Sequence, residues 1–324
     1  MNITLEDLGE KEILNRLKKF MDYKQISDDT AIINNSNQDL LINTDVLVED
    51  VHFSSKTLSA DDVGWKAITS NISDLIASGA EEILSFTVGL IVPTSTEWNW
   101  VEGVYEGMEK ALNKFGGKLI GGDCSRGKQK ILSITAIGRL GPLRLHRGHG
   151  LPGDCLVTSG SHGLSRLGLA LLLEEPRENL RIISSSLREK AIKAHQRPDP
   201  ALYGLKKLNR CKPKDLPWRA AGTDSSDGLL EAIQSLCISS GCTGIIFPEE
   251  LPKDHEWPHG GQWDNWCLNG GEDYELVISL PENWADEWIK SMPNAKRIGR
   301  LEKGLPKVIW ENGNEINQLT FKHF

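Results

Sequence analysis

Two short apolar runs near the start of the chain, residues 30–33 and 40–43, flank the polar stretch Asn34-Asn35-Ser36-Asn37 and predict a β-hairpin. Ser59-Ala60-Asp61-Asp62 has the form of a capping box, so a helix is expected from there to about Ser78, with Gly79 just past its end. Residues 85–92 are apolar and partly β-branched, which predicts a strand ended by Pro93. Thr94-Ser95-Thr96-Glu97 then caps a second helix. In it Trp98, Val101, Tyr105, Met108 and Leu112 recur at helical spacing until Gly116-Gly117 stops it. Strands are expected over 118–120 and 130–140, around a polar loop.

Residues 148–153, Gly-His-Gly-Leu-Pro-Gly, are the densest cluster of chain breakers, and a boundary between domains 1–148 and 149–324 is expected there. Beyond it the pattern gives a strand over 155–159, a glycine-rich turn and a helix over 167–173. A helical stretch at 191–196 is broken by Pro198 and Pro200, and a polar turn at 223–228 opens a helix through Leu236. Strands at 275–280 and 296–301 bracket a helix carrying Trp284 and Trp288. Strands alternating with helices in both halves indicate two α/β or α+β domains.

Composition narrows this mostly by exclusion. The 324 residues exceed one comfortable core, in keeping with two domains. There are 45 acidic against 37 basic side chains, a net charge of −8, which argues against a nucleic-acid partner. No stretch approaches the roughly 18 apolar residues needed to span a bilayer. The start, Met-Asn-Ile-Thr-Leu-Glu-Asp-Leu, has neither the basic nor the apolar segment of a signal peptide. Six cysteines without a Cys-x-x-Cys pair read as reduced thiols. A cytoplasmic protein is expected, with neither nucleic acid nor membrane as a partner.

The acids carry the candidate chemistry. Asp28 and Asp29 precede the first hairpin strand and Asp45 follows the second, and in an antiparallel pair these ends lie side by side. Asp is also a common turn residue, so the hairpin alone leaves both readings open. Asp74 adds weight. On its helix Trp65, Ile68, Ile72, Leu75 and Ile76 form a broad apolar face, while Ala67, Ser70, Asn71, Asp74 and Ser78 lie opposite, all small or short. Such a stripe around one carboxylate points to a surface against which something packs closely; a capped or solvent-facing Asp is the alternative. Asp123 follows the strand at 118–120 after Gly121-Gly122, where backbone can approach a ligand. Asp224-Ser225-Ser226-Asp227-Gly228 sets two carboxylates before a helix, where acids also serve as caps. Acids at element ends, with no His or Cys cluster, imply a hard cation such as Mg²⁺ rather than zinc.

Other features are weaker. The run from Gly122 to Gln129 nearly matches a phosphate-binding loop, but Gln129 replaces the required hydroxyl and a β-type sequence follows, so that motif is rejected. Gly160-Ser-His-Gly163 could hold a phosphate at a helix start, or be an entry turn only. His146, His149, His162 and His195 read as surface residues. Seven of the ten Trp lie beyond residue 200 and are expected in core and interface packing.

The chain resembles the thiamine-monophosphate kinases of the aminoimidazole-ribonucleotide synthetase-like superfamily. The resemblance rests on Ser-Asp-Asp-Thr-Ala at 27–31, Asn-Thr-Asp-Val-Leu-Val-Glu-Asp-Val-His-Phe at 43–53 and the run 64–80 around Asn-Ile-Ser-Asp-Leu. It continues through Gly-Gly-Asp at 121–123, Pro-Gly-Asp at 152–154, Asp-Ser-Ser-Asp-Gly-Leu at 224–229 and Gly-Gly-Glu-Asp-Tyr-Glu-Leu at 270–276, so it covers nearly the whole chain. It implies a two-domain fold with an N-terminal sheet-plus-helices dimerisation domain and a C-terminal α/β domain. It also implies a homodimer whose N-terminal domains pack their sheets together. The implied reaction moves the γ-phosphate of ATP to thiamine monophosphate, the last step in making thiamine diphosphate. Several Mg²⁺ ions would be held by Asp29, Asp45, Asp74, Asp123, Asp224 and Asp227, assisted by Asn43 and Thr44. Gly122, Asp123, Arg147 and Ser226 would contact ATP, and His52, Glu272 and Phe321 would border the thiamine moiety.

The chain departs from the family pattern in four places. Ser27 replaces the usual Gly before the two acids, Asp50 replaces Gly after Glu49, Cys124 follows Gly-Gly-Asp in place of Thr, and the C-terminal aromatic segment is shortened to Phe321-Lys322-His323-Phe324. The chemistry suits the composition. A phosphate monoester is already anionic, so its phosphorylation requires charge neutralisation and alignment rather than a general base, and no catalytic residue of that kind is expected. A cationic thiazolium suits a site with Glu272 and an aromatic face. Alternatives are another ATP-using enzyme of the superfamily or a non-catalytic nucleotide-binding regulator. No cysteine precedes Cys124 and none lies near the C-terminus, which disfavours selenophosphate synthetase and the hydrogenase maturation factor.

Overall fold

Apolar and polar positions alternate along β5 (Ile131–Leu140), where Leu132, Ile134 and Ala136 are fully buried and their neighbours half-buried. That period of two places one face of a sheet against a core. The computed structural model describes residues 8, 12, 13, 15–20, 28–35, 38–175, 180 and 182–316. In it β5 sits at the centre of a five-stranded sheet with β1 (Ala31–Ile33), β2 (Leu40–Val48), β3 (Ala80–Val92) and β4 (Leu119–Arg126), in the order β1-β2-β5-β3-β4. Neighbours are antiparallel except β3 and β4, which run parallel.

Helices α1 (Ala60–Ala77) and α2 (Trp98–Phe115) cover the inner face of this sheet. Ser59 and Asp62 form the expected capping box: the Ser59 hydroxyl accepts the Asp62 N–H, and the Asp62 carboxylate accepts the Ser59 N–H. No side chain caps α2, contrary to the expectation for residues 94–97. The two helices touch backbone to backbone through glycine. A Cβ on Gly64 would lie 1.8 Å from the Val104 carbonyl oxygen, and one on Gly107 would lie 1.9 Å from that of Asp61.

The second sheet holds β6 (Cys155–Thr158), β7 (Ala221–Asp224), β8 (Cys242–Ile246), β9 (Leu276–Leu280), β10 (Lys296–Lys303) and β11 (Lys307–Trp310), in the order β11-β8-β10-β6-β9-β7. Only β8 and β11 are parallel neighbours. Further helices, α3 (Leu164–Leu172), α4 (Ser185–Gln196), α5 (Leu202–Arg210), α6 (Leu229–Ser240), α7 (Gly261–Asn269) and α8 (Glu282–Ser291), belong to the same half as this sheet. Its central strands are buried on both faces and serve two cores. Cys155, Val157, Leu276, Ile278 and Leu280 join the core of the first sheet, while Leu156, Val277, Ile298 and Leu301 pack with Leu229, Ile233 and Leu236 of α6.

Two strand ends differ from the sequence expectation. Asp45 lies inside β2 rather than after it, and Asp123 lies inside β4. In β2 the polar residues Asn43, Thr44 and Asp45 stay in the ladder because β5 pairs with them one for one. β4 is an edge strand, exposed over most of its length, and needs no apolar residues to persist. Among the described residues no helix is long and apolar enough to cross a membrane. The α1–α2 contact gives a direct test. Gly64→Ala should destabilise the protein by roughly 1–3 kcal/mol through overpacking, read as a lower urea midpoint at unchanged slope.

Candidate active site

The pairing of Ala31 with Ile42 sets Asp29, two residues before β1, beside the Asn43-Thr44-Asp45 segment of β2. From the helix side, Asp74 Oδ2 accepts the Asn43 Nδ2–H at 2.7 Å, and Asn71 Oδ1 accepts from the same amide at 3.1 Å. From the second sheet, β7 ends at Asp224, whose Oδ2 accepts the Ser73 hydroxyl at 2.7 Å. The small-residue stripe of α1 packs against β2, where Asn71 and Asp74 take the Asn43 amide and Ser70 hydrogen-bonds Asp45, and the end of β7 closes on the adjoining Ser73. Asp29, Asp74 and Asp224 offer carboxylate oxygens that all lie within 4.8 Å of one another.

Burial and mutual repulsion push Asp29, Asp45 and Asp74 toward their neutral forms. Burial raises the Asp29 carboxyl to about 7 against the Arg147 guanidinium, with Asp224 and Asp28 adding to the rise. Asp45 rises to about 6, through burial and then Asp224 and Asp227, although Ser70 hydrogen-bonds its ionised form. Asp74 is raised well above the usual range by burial and by Asp45, Asp224 and Asp29. Among the described residues, Asp29 Oδ2 and Asn43 Oδ1 are buried oxygens without a hydrogen-bond partner. Oxygen donors, unsatisfied lone pairs and several carboxyls against the single guanidinium of Arg147 fit a hard divalent cation.

The other expected residues are distributed as follows. The Ser226 hydroxyl donates to Asp224 Oδ1 at 2.9 Å, and Asp227 lines the same cavity as Asp45, Asp74 and Asp224. Arg147 pairs with Asp29, and its Nε–H donates to Thr223 Oγ1 at 3.2 Å. The side chain of Thr44 lies on the outer face of the sheet, its hydroxyl 2.9 Å from that of Thr135, which leaves only its backbone for the inner site. Gly122 and Asp123 are exposed on β4, with β5 and β3 between them and β2. Phe321 and Ser27 lie outside the described residues.

The cavity has a volume of about 750 Å³, large enough for a drug-sized ligand. Its walls join the acids to His52, Lys66, His195, Glu272 and Tyr274, and to the apolar side chains Val51, Phe53, Leu169 and Leu173. The Val48 N–H donates to His52 Nδ1 at 3.0 Å, so the ring carries its proton on Nε2. Lys66 and Tyr274 escaped the sequence reading, which named Ser70 only as part of the small stripe. The only available signal was a lysine inside a helix whose two faces are apolar and small.

Two further expectations change. His162 and His195 are buried, at 0% and 3% exposure; His195 lies on α4 where Gly168 of α3 packs against it. The start of α3, considered for a phosphate, is already filled: Asp273 accepts the Gly163 N–H at 2.6 Å and the Ser165 N–H at 3.0 Å. Asp50 adopts φ +64°, the left-handed region that glycine enters freely and Asp tolerates.

Comparison with known proteins agrees with this geometry. A family model described as AIR synthase related protein, N-terminal domain, matches residues 27–140. The thiamine-monophosphate kinase of Prochlorococcus marinus is 58% identical over 323 residues, covering 99% of this chain and 97% of its own. That of Synechococcus elongatus is 36% identical, covering 99% and 98%. A solved structure of AaThiL complexed with AMPPCP and TMP superposes with a TM-score of 0.87 at 31% identity, covering 100% of both chains.

The raised carboxyls carry a stability consequence. An acid whose pKa is raised in the folded state penalises folding in full above that raised value; the penalty shrinks as pH falls below it and is gone near the ordinary carboxyl value of about 4. In chelator, Asp74→Asn should therefore melt a few degrees above the wild type at pH 8, with the gap narrowing as pH falls toward about 4. A variant no more stable than wild type at pH 8 would contradict the repulsion.

Proposed function

The chain belongs to the thiamine-monophosphate kinases, and from that premise we propose how its residues divide the work of the reaction. It has the two-domain AIR synthase-like fold and carries out ATP-dependent phosphorylation of thiamine monophosphate. An acceptor phosphate oxygen bonds to the γ-phosphorus while the bond from that phosphorus to the bridging oxygen breaks, releasing ADP. The acceptor is already ionised, so no side chain has to remove a proton.

In this reading Asp29, Asp45, Asp74, Asp224 and Asp227, with Asn43 beside them, hold Mg²⁺. The bound metal neutralises the facing phosphates and aligns them. The carrying observation is the approach of Asp29 and Asp74 from one half of the chain to Asp224 from the other, within 4.8 Å. The protein's own part is to hold these carboxylates together on short hydrogen bonds from Asn43, Ser73 and Ser226. Ser226 and Arg147 are assigned to ATP, with Arg147 exchanging its pairing with Asp29 for the nucleotide phosphates. His52 and Glu272 border the thiazolium, and Phe321 is assigned beside them. The apolar wall of Val51, Phe53, Leu169 and Leu173 excludes water.

Residues 1–148 are assigned to the metal-binding and dimerisation domain and 149–324 to the C-terminal domain. The six cysteines, all unpaired, support a cytoplasmic setting. A homodimer is favoured by the outer face of the first sheet, where Thr44 and Val46 are exposed. It also accounts for Asp123. The row Val46, Ser133, Gly89, Asp123 crosses the sheet by three strand spacings, so Asp123 stands about 14 Å from β2. In a dimer built through this face, Gly122 and Asp123 complete the site of the partner copy.

Purified protein with ATP, Mg²⁺ and thiamine monophosphate should form thiamine diphosphate one for one with ADP, followed as the fluorescent thiochrome derivative. Asp74→Asn and Asp227→Asn should leave a folded dimer with about a hundredfold less turnover or worse; wild-type rates in either would remove the ligand assignment. Cross-subunit completion is tested by mixing two inactive variants, Asp123→Asn and Asp227→Asn. Hybrid dimers should regain activity at one of their two sites, whereas a site completed within each chain predicts none.

A further inference from the structure

The cavity holds a second group of ionisable side chains that the phosphoryl transfer does not use. Lys66 of α1 is 1% exposed, yet its Nζ lies 2.5 Å from Glu272 Oε1 and 3.5 Å from the His52 carbonyl oxygen. The other Glu272 oxygen is 3.4 Å from His195 Nδ1, which also lies 3.1 Å from the Ser165 hydroxyl. His195 Nε2 is buried and has no partner among the described residues. A ring protonated on Nδ1 leaves that nitrogen as a bare acceptor, a smaller penalty than a stranded N–H, so Nδ1–H faces Glu272.

This arrangement is costly to maintain. Glu272 has φ +65°, a strained value for a side chain of its size. Its N–H donates to the Ser226 carbonyl oxygen at 2.7 Å, and a Cβ on Gly271 would lie 2.5 Å from that same oxygen. The loop is therefore pressed flat on the 225–227 turn, and Asp273 ties its next residue to α3. Nothing in packing alone calls for a buried ion pair here, since an apolar pair would be at least as stable.

Three acids of this loop show what the lysine does. Burial pushes Asp273 up to about 8 and Glu275 to about 7. Burial also acts on Glu272, but Lys66 and then His195 outweigh it and hold the carboxyl below its ordinary value. The groups facing Glu272 are Lys66 from α1, His52 from the turn after β2 and His195 from α4. Arg166 of α3 stands behind His195, and Asp273 and Tyr274 flank Glu272 in its own loop. Of Glu272, 29% remains open to the cavity.

We propose that Lys66 is a positioning residue for the acceptor: it holds the Glu272 carboxylate ionised and aimed at the cationic thiazolium of thiamine monophosphate, with His195 steadying the second oxygen. The proposal rests on the reading of Glu272 as a substrate contact. A buried carboxyl left to itself would take a proton and offer the permanent cation nothing, and Lys66 prevents that before the substrate arrives.

The test is steady-state kinetics between pH 7 and 9, where the substrate phosphate is largely dianionic. Lys66→Met should raise KM for thiamine monophosphate at least tenfold at pH 7, with KM for ATP and kcat within about twofold of wild type. That KM should fall back as pH rises to 9 and Glu272 ionises unaided, whereas the wild-type KM stays flat. In Lys66→Met/Glu272→Gln the KM should equal that of Glu272→Gln alone. The proposal is overturned by an unchanged KM in Lys66→Met, by an increase equal at every pH, or by single effects that multiply in the double variant. If Lys66→Met does not fold, His195→Leu serves: a severalfold rise in KM for thiamine monophosphate alone is expected, and a wild-type value overturns the clamp. Wild-type protein without turnover of thiamine monophosphate would sink the substrate reading and this proposal together. Intact wild-type turnover with a pH-independent Lys66→Met sinks only the role of Lys66.

Discussion

Carboxylates gathered in one buried place repel, and the rest of the architecture is arranged around holding them there. Two unit charges about 5 Å apart repel by roughly 3 kcal/mol at an effective dielectric constant of 20, and here Asp29, Asp74 and Asp224 stand within 4.8 Å of one another. No single element could present them so. Asp29 comes from the approach to β1, Asp74 from the middle of the molecule and Asp224 from the tip of a strand in the other sheet. The scaffold has to be stable elsewhere to keep them together, which is why α1 is buried along almost its whole length. Its glycine contact with α2 brings the two axes close and leaves the helix no freedom to slide away.

The two ends of the reaction are built on different physical grounds. The donor end concentrates negative charge and depends on added cations for relief. The acceptor end carries its own counter-charge, because Lys66 enters from α1 and balances Glu272 within the protein. One helix therefore supplies Asp74 to the first and Lys66 to the second. The strained loop at 270–275 joins them as well, with Glu272 bonded through its N–H to Ser226 and Asp273 closing the start of α3. Small shifts of α1 would disturb donor and acceptor alike.

Much of this was legible in the order of residues, for identifiable reasons. The capping box at Ser59, the apolar face of α1 and the small stripe around Asp74 are local patterns, and each is where it was expected. The family resemblance supplied the acids of the second half, which spacing alone left ambiguous with helix caps. What escaped is long-range. That Asp45 and Asp123 lie inside strands depends on partners ninety or thirty residues away in β5 and β3. Lys66 drew no notice and His195 read as a surface residue because nothing nearby in the chain shows that Glu272 will reach them. The left-handed backbone at Asp50, Glu272 and Tyr274 sits at residues that carry no glycine signal. For Asp50 the family's usual glycine explains the conformation that the chain nevertheless retains.

The shared core bears on how such a chain can be inherited. Its first sheet ends at residue 140, yet the apolar cluster beneath that sheet also contains Val157, Leu205, Ile278, Trp284 and Trp288. Recombination between related genes at the connection 141–154 would give the two sides of one core different ancestors. Contacting residues couple energetically, so such chimaeras would stay stable only where both parents had kept matching volumes across the seam. The two halves are thus constrained to drift together, and substitutions in α8 are answerable to a sheet more than a hundred residues upstream.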